Sequence, residues 1–174
     1  MKRMSPPTTA PPSGLTVRTA RPDEYAAVGA LTVDVYVGGG YMNPESTYIA
    51  TLRDTAARAA TTEILVAELG GTLVGAVAYC PPESPLAELA GPDDGEFRML
   101  AVLPSAQGRG AGSALVRACV ERARAAGLRG VRLSTQPNMT AAHRLYERLG
   151  FHRTPDDDWS PVPGLLLVTY ALAF

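Results

Sequence analysis

The segment from Met99 to Leu115 constrains the fold of this chain more than any other. It reads MLAVLPSAQGRGAGSAL, an apolar run followed by a proline, a glycine-rich loop and an alanine- and leucine-rich stretch of helical character. Gly110 and Gly112 lack side chains where backbone N–H groups would turn outward at the start of the helix. Because a helix N-terminus carries roughly +0.5 of a charge, this loop is predicted to hold a phosphate group.

The spacing of the glycines excludes two common phosphate loops. A P-loop needs GxxxxGK followed by Ser or Thr, and the chain has no such string. The dinucleotide fingerprint GxGxxG/A fails in both registers, because its last position falls on Ser113 or on Leu115. The pattern that fits is Gln-x-x-Gly-x-Gly, formed by Gln107, Gly110 and Gly112.

Length and charge favour one globular domain with neither a nucleic-acid nor a membrane partner. The chain has 174 residues and a formal net charge of -1, so it has no overall basic field for nucleic acid. No apolar run approaches the roughly 18 residues of a membrane span. We expect residues 1–13, which carry prolines and threonines but no apolar signal core, to be a disordered lead-in. Residues 14–174 are then expected to form a single domain.

The two cysteines indicate a reducing, cytoplasmic compartment. Cys80 and Cys119 do not have the spacing of metal ligands, so we expect no metal site. Both fit as small buried side chains, and a disulfide between them is the less favoured alternative. Neither has a histidine near it in sequence or belongs to a reactive motif, which makes a thiol relay a weak alternative.

The apolar periodicity predicts a mixed α/β chain. We expect a first helix from Pro22 that the glycine triplet 38–40 stops, and a second helix that begins at Asn43-Pro44 and runs to about Ala60. Further helices are expected at 111–126 and 140–149, and strands at 15–19, 63–69, 72–80, 95–102, 131–135, 151–154 and 165–174. Gly70-Gly71 is predicted to form a hairpin turn. The strands at 95–102 and 131–135 flank a helix, so they should be parallel.

Two motifs in this order resemble one family. The Gln107-x-x-Gly110-x-Gly112 loop, after the strand EFRMLAV, resembles the acyl-CoA pyrophosphate loop of the GNAT N-acetyltransferase superfamily. Downstream, LYERLGF at 145–151 is similar to the family's LYxxxGF element. The resemblance covers roughly residues 14–174. It implies a mixed, mostly antiparallel central sheet flanked by helices, with a splayed parallel strand pair that admits acetyl-CoA.

The resemblance also implies which residues bind this co-substrate. The main chain of the strand end would bind the pantetheine arm, and the Leu100 N–H would donate to the acetyl oxygen, as a backbone oxyanion hole. Arg109 either pairs with a phosphate or is solvated. Asn138 lies one residue before the family's usual asparagine position, which Met139 occupies, so it either contacts pantetheine or helps to cap a helix. The implied set is Leu100, Ala101, Val102, Gln107, Gly108, Arg109, Gly110, Ala111, Gly112, Ser113, Asn138 and Tyr146.

Two side chains are candidates for proton transfer. The resemblance places Tyr146 beside the thioester sulfur as general acid, whereas the alternative is a tyrosine that only packs between sheet and co-substrate. Glu96 is the candidate base, because a protonated amine has no lone pair. By period-two counting Glu96 lies on the same strand face as Val102. Its alternative role is a salt-bridged carboxylate at a strand end.

The acceptor is expected to be a primary amine of a small molecule or a peptide, attacking directly in a ternary complex. Tyr36 and Tyr41, with Met42 and Tyr48, surround the glycine triplet and suit either a substrate lid or a packed helix connection. The acidic runs 93–94 and 156–158 either steer a cationic amine or are solvated loops. Rival interpretations are a different acyl donor and an acyl-CoA-binding regulatory domain without turnover. A homodimer is compatible with the resemblance.

Overall fold

The computed structural model describes residues 14–174, and the predicted lead-in at 1–13 lies outside the described residues. The strands are β1 (Leu15–Thr19), β2 (Glu63–Leu69), β3 (Thr72–Cys80), β4 (Asp94–Val102), β5 (Gly130–Thr135), β6 (His152–Arg153), β7 (Trp159–Val162) and β8 (Leu165–Ala173). The α-helices are α1 (Tyr25–Gly38), α2 (Ile49–Arg53), α3 (Thr55–Ala59), α4 (Ala111–Ala125) and α5 (Thr140–Arg148). Short 3-10 turns occupy Pro22–Glu24, Pro104–Ala106 and Pro155–Asp157.

The strands form one mixed sheet in the order β1-β2-β3-β4-β5-β8-β6, and β7 pairs with β8 beside it. Within the described chain, β4 and β5 are the parallel pair, and the other neighbours are antiparallel. The predicted parallel crossover through α4 is therefore confirmed, as is the mostly antiparallel sheet. The β2–β3 hairpin turns at Gly70 and Gly71, whose φ angles of 60° and 83° need residues without a Cβ.

Helices cover both faces of the sheet. On one face α4 and α5 pack over the main core, which includes Leu115, Cys119 and Tyr146. On the other face α1 packs against β3 and β4, with Val28 fully buried. α2 lies against α1 at Gly29, where a Cβ would come within 2.2 Å of the Arg53 carbonyl oxygen. This close approach fixes the chain segment between α1 and α3 over the end of β4.

The predicted second helix is wrong at its start and in its continuity, because residues 49–59 form two short helices, α2 and α3, instead of one. The Asn43 side chain accepts a hydrogen bond from the Glu45 N–H at 2.9 Å and closes a turn, so no helix begins at Pro44. Helix α2 starts only at Ile49. It ends at Asp54, whose ψ of 71° interrupts the helix and whose carboxylate caps α3 by accepting from the Ala57 N–H.

Strand β7 was not predicted from the sequence. It contains Pro161, which cannot donate to a strand ladder and is confined to edges and irregular pairs. The pairing of β7 with β8 is indeed irregular between Trp159 and Val162. The hairpin of β7 and β8 nevertheless contributes to the wall of the main cavity.

Candidate active site

The parallel strands β4 and β5 separate part-way along their length. They pair at Asp94 with Gly130, Gly95 with Val131 and Glu96 with Arg132, and no further pair follows. Beyond this point β4 continues along β3, and β5 continues along β8. The β4 backbone groups that face the gap therefore have no strand partner. Such an edge is able to hydrogen-bond an extended ligand as if it were a further strand.

A bulge in β4 lies at the start of this gap. Ala78 pairs with Arg98 and Ala76 pairs with Ala101, so Met99 and Leu100 together face a single residue of β3. Met99 has a φ of 58°, the one positive value at a non-glycine residue in the described chain. Backbone strain of this kind concentrates at functional sites, and bulges re-aim side chains next to them.

The bulge changes which side chains share a face. Phe97 and Leu100 both contact the core under α4 and α5, while Met99 packs on the opposite face with Val33 and Leu52. The placement of Glu96 and Val102 on one face is therefore wrong, because period-two counting does not hold across an inserted residue. Glu96 lies on the face opposite Val102.

The loop before α4 presents free backbone amides. Gly108 and Gly110 have φ angles of 77° and 85°, and Gly110 is the N-cap of α4. Within the described residues, the N–H groups of 108 and 110–113 donate to no backbone or side-chain acceptor, whereas Arg109 N–H donates to the Ala106 carbonyl at 3.3 Å. The side chains of Gln107 and Arg109 are exposed. A cluster of free amides at a helix N-terminus fits a pyrophosphate.

Gly112 has a packing role besides its predicted role in the phosphate loop. A Cβ at this position would meet Leu145 Cδ2 at 3.2 Å and Val102 Cγ2 at 3.7 Å. The absent side chain thus lets α5 approach α4 closely over the end of β4. Gly110, in the left-handed region, is the glycine that turns the amides outward.

Tyr146 lies in an aromatic cluster on the α4 and α5 face. Its ring centroid is 5.8 Å from those of Phe97 and Tyr170 and 6.1 Å from that of Phe151. The residue is 4% exposed, and its hydroxyl has no hydrogen-bond partner within the described part of the chain. Burial raises the pKa of Tyr146, and the neighbouring Tyr36 adds to this rise. The phenol therefore stays protonated at neutral pH.

A cavity of about 860 Å³ opens on the other side of the bulge. Its walls include Tyr36, Tyr41, Met42 and Tyr48 from the segment after α1. The Tyr36 hydroxyl donates to the Leu100 carbonyl at 3.3 Å, which connects the cavity wall to the bulge. Both Tyr36 and Tyr41, the substrate residues expected from the sequence, therefore line one space next to Leu100.

The same cavity continues along β5 and the β7–β8 hairpin. Ser134, Gln136 and Trp159 line this part. The Gln136 side-chain amide donates to the Tyr41 carbonyl at 2.9 Å and holds the segment after α1 against the end of β5. The Trp159 indole N–H donates to the Ser134 hydroxyl at 2.9 Å, which fixes the indole in the wall. The cavity is thus lined by side chains from five separate parts of the chain.

Glu96 is fully buried and does not line this cavity. Its Oε2 accepts from the N–H groups of Glu88, Leu89 and Ala90 at 2.8, 2.9 and 3.2 Å, while Oε1 is buried with no partner within the described residues. Burial raises the pKa of Glu96, against the lowering effect of these amides and of Arg98. Glu96 therefore anchors the loop between β3 and β4, and its role as base stays a prediction.

The raised pKa of Glu96 predicts a pH dependence of stability. A carboxyl whose folded pKa exceeds its unfolded value stabilises the fold below about pH 4, and this contribution is lost as the pH rises through the folded pKa. We expect the Glu96→Gln variant, which cannot ionise, to gain relative to the wild type as the pH rises. Urea unfolding at about pH 4, 6 and 8 measures this difference, with the exposed Glu121→Gln variant as the matched control. A difference that grows in favour of the wild type toward high pH would contradict it.

Comparison with known proteins matches the part of the chain that contains β4, the loop before α4 and Tyr146. The model of the Acetyltransferase (GNAT) family matches residues 25–151. The chain belongs to this family. Mycothiol acetyltransferase of Sanguibacter keddieii is 35% identical over 153 residues, which are 83% of this chain and 45% of that protein, so the chain spans less than half of this curated relative. The resemblance seen in the sequence is confirmed.

Solved GNAT structures have the same fold. The yncA protein of Salmonella typhimurium, solved with its cofactor acetyl-CoA, superposes with a TM-score of 0.69 at 22% identity, over 92% of this chain and 94% of that one. A GNAT acetyltransferase of Brucella melitensis, in complex with acetyl-CoA, gives a TM-score of 0.61 at 27% identity, over 92% and 88%. The mixed sheet with its splayed strand pair is therefore the GNAT fold.

Asn138 is the predicted site residue of this GNAT chain that the structure supports least. It is exposed, and its side chain has no hydrogen bond within the described residues. The alternative that it caps α5 is wrong, because Met139 is the N-cap and no side chain caps this helix. Met139 itself lines the cavity, and its sulfur accepts from the Thr135 hydroxyl at 3.5 Å. Contact between Asn138 and pantetheine stays a prediction.

The acidic runs are mostly engaged in ion pairs. Asp94 and Asp157 both contact Arg132 at 3.0 Å, and Asp158 contacts Arg153 at 2.8 Å. The Arg153 guanidinium lowers the pKa of Asp158 to about 2. Paired charges attract a cationic amine less than free ones do, so the geometry favours the structural alternative over steering.

The cysteines are free and buried, as expected. Burial raises the pKa of Cys80 to about 12 and raises that of Cys119 as well, which leaves neither thiol as a nucleophile at neutral pH. Among residues 14–174 no group of His, Cys, Asp and Glu side chains could hold a metal ion. No helix in this part of the chain combines the length and apolarity that a membrane crossing requires.

Sequence analysis missed much of the cavity wall, including both of its charged residues and one aromatic residue. Arg98 and Glu88 are its charged residues, and Trp159 comes from the unpredicted strand β7. Arg98 precedes the bulge within the EFRMLAV strand, where an arginine in an apolar run was an available signal. Glu88 and Trp159 lie in loop-like surroundings rich in proline and acid, and nothing in that composition points to a cavity.

Proposed function

We propose that this GNAT protein is an acyl-CoA-dependent N-acyltransferase that moves an acetyl group from acetyl-CoA to a primary amine by direct attack in a ternary complex. One observation carries the proposal: the unpaired edge of β4 runs from the bulge at Leu100 to the loop of free amides before α4. An extended thioester with a pyrophosphate tail fits such a path. The relatives solved with acetyl-CoA support this choice of co-substrate.

The residues that would hold acetyl-CoA fall into two groups. The amides and side chains of Gln107, Gly108, Arg109, Gly110, Ala111, Gly112 and Ser113 would hold the pyrophosphate. The main chain of Leu100, Ala101 and Val102 would bind the pantetheine arm. When bound, acetyl-CoA supplies an activated acetyl group. Asn138 is retained as a weaker candidate contact.

The chain itself would then act at two atoms. The Leu100 N–H donates a hydrogen bond to the acetyl carbonyl oxygen, an interaction of a type that contributes about 2.7–4 kcal/mol when it strengthens in the transition state. The Tyr146 hydroxyl gives its proton to the departing sulfur, because burial keeps the phenol protonated. As the new N–C bond forms, the C–S bond breaks. An ammonium acceptor would lose two protons in all, one to a base before attack and one that restores the Tyr146 phenol, so the amide, the free thiol and one released proton are the products.

A base must take the proton that the amine loses before it attacks. Glu96 was predicted to take the proton directly or through water, yet its carboxylate holds the loop amides of 88–90 outside the cavity lining. We propose Glu96 primarily as the residue that orders this loop, which brings Glu88 to the cavity and the Leu86 carbonyl to Arg98. If the Glu96→Gln variant shifts the basic limb of the pH-rate profile, Glu96 also acts as the base.

Acetyl-CoA binding and thiol release test the proposed function. Calorimetric titration with acetyl-CoA and with free CoA should give saturable binding by the described domain. A library of primary amines, including polyamines, amino acids and peptides, should then contain an acceptor that releases the thiol. The same assay with propionyl-CoA and succinyl-CoA tests the acyl donor. Absence of binding overturns the proposal, and binding without release on any amine supports the regulatory domain instead.

A small-molecule or peptide amine in the cytoplasm is the proposed partner. The two free, buried thiols are compatible with a reducing compartment. The expected absence of a nucleic-acid partner rests on the net charge of -1, and a homodimer stays a prediction.

A further inference from the structure

Arg98 is a cation in the wall of a cavity whose other lining residues are mostly aromatic, apolar or uncharged polar ones. Among the described residues that line the cavity, it and Glu88 are the charged ones. Around them are the rings of Tyr36, Tyr41 and Trp159 and the side chains of several methionines and leucines. A guanidinium in such surroundings costs free energy unless it is hydrogen-bonded or meets an anion.

The guanidinium of Arg98 is held by two uncharged acceptors and forms one loose ion pair, with Glu88. Its Nη1 donates to the Leu86 carbonyl at 3.0 Å and its Nη2 donates to the Tyr48 hydroxyl at 3.1 Å, and both acceptors are uncharged. The nearest carboxylate is that of Glu88, at 3.7 Å from Nη1, which exceeds hydrogen-bond length, and the Glu88 side chain is 41% exposed. An arginine has five N–H donors, so a fixed fork remains for a further acceptor.

The position of Arg98 along β4 relates it to the reacting group. It lies two residues before Leu100, with the bulge at Met99 between them, so chain length alone limits the distance between their Cα atoms to at most about 7 Å. Leu100 is the residue whose N–H meets the acetyl carbonyl in the proposed function, on which this inference rests. A ligand group bound by Arg98 is therefore joined to the attacking amine through only a few bonds.

We propose that the acceptor is a small amino acid whose carboxylate binds Arg98 in a bidentate manner and whose apolar side chain lies in the aromatic part of the cavity. Planar carboxylates match the guanidinium fork, and the pair is strong where water is excluded. Polyamines and other polycations fit poorly, because Arg98 repels them and Glu88 is the one carboxylate among the described residues of the cavity wall. The products are an N-acetyl amino acid and the free thiol of CoA, with one proton released from the amine.

Matched acids and amides separate carboxylate recognition from amine reactivity. L-leucine and L-phenylalanine are compared with L-leucinamide and L-phenylalaninamide in the thiol-release assay with acetyl-CoA. Each amide has the same side chain and a more readily deprotonated amine, so a preference for the acid reports recognition and not reactivity. We expect the wild type to favour each acid by about 100-fold in kcat/KM, as sites built around a polar partner do.

Two variants test whether Arg98 carries this preference. Arg98→Gln keeps a donor for Tyr48 and Leu86 but removes the charge, so KM for the acids should rise by about 100-fold while kcat/KM for the amides changes less than about 3-fold. Arg98→Lys, which keeps the charge without the fork, should retain part of the preference. Arg129→Gln, an exposed arginine at the far end of β5, is the matched control and should retain all of it.

A binding measurement makes the outcome independent of turnover. With CoA present, N-acetyl-L-leucine should bind the wild type in calorimetry and should bind Arg98→Gln at least about 30-fold more weakly. Thermal unfolding and acetyl-CoA affinity verify that the variants are folded. The inference is overturned when amides are used as well as acids, when Arg98→Gln keeps the preference, or when only polyamines or peptides release thiol. That last result leaves the proposed function standing, whereas failure to bind acetyl-CoA removes both.

Discussion

The Gly110→Asp variant is expected to bind acetyl-CoA at least about 100-fold more weakly than the wild type. Gly110 is the N-cap of α4, and its own N–H and those of residues 108 and 111–113 donate to no acceptor in the described chain. A carboxylate placed there faces the pyrophosphate, and two like charges about 4 Å apart repel by about 4 kcal/mol at a protein surface. The fold should tolerate the change, because Asp is accepted in the left-handed region and negative charge favours a helix N-terminus.

Gly110→Asn is the matched control for this charge. Asn and Asp have the same shape and meet the same φ of 85°, so the backbone cost is common to both variants. Calorimetric Kd values and the rise in Tm with acetyl-CoA should show a modest loss for Asn and a far larger loss for Asp. Equal losses would mean that shape rather than charge matters, and wild-type binding by Asp would remove the pyrophosphate assignment from this loop.

Local signals in the sequence predicted the elements that build this loop. Gly110 before an alanine- and leucine-rich run predicted the start of α4, and Gly127, with a φ of 72°, follows its end. Gly70 and Gly71 predicted the hairpin. These positions are predictable because a glycine at a positive φ or a residue that ends a helix acts through its own backbone, without any distant partner.

The bulge in β4 could not be predicted in this way. Nothing in EFRMLAV indicates that Met99 has a positive φ. The inserted residue is stabilised by the register with β3 on one side and by core packing on the other, and both depend on the rest of the fold. The face of Glu96 was consequently misassigned. One inserted residue moves every side chain after it to the opposite face of the strand. Period-two counting therefore assigns faces correctly only for residues on the same side of the bulge.

The cavity wall depends on contacts between segments far apart in the chain. Arg98 reaches Tyr48 across 50 residues, and Gln136 reaches Tyr41 across 95. A single sequence does not show which of its distant residues contact each other. The family motifs identified the loop and Tyr146, whereas the residues that face the acceptor became visible only once β7 and the segment after α1 were placed around the bulge.

The Tyr146→Phe variant is expected to lower kcat by about 100-fold or more, with the affinity for acetyl-CoA nearly unchanged. A thiolate is a modest leaving group, and a positioned acid contributes at least this factor. Burial keeps the Tyr146 phenol protonated, so it is available as an acid throughout the neutral range. Its hydroxyl has no hydrogen-bond partner among residues 14–174, so its removal leaves no buried polar group unsatisfied. The loss should therefore appear in kcat and not in the free energy of unfolding.

Tyr170→Phe provides the matched control within the same aromatic cluster. The two rings lie 5.8 Å apart, and the Tyr170 hydroxyl donates to Glu147 Oε1 at 3.2 Å rather than facing the gap between β4 and β5. Both variants remove one phenolic oxygen from the same core, so a general effect on packing would lower their kcat values alike. Single-turnover rates at saturating acetyl-CoA, with the acceptor found in the amine library, measure the difference. If Tyr146→Phe retains the wild-type rate, the phenol only packs, and the departing sulfur takes its proton from solvent.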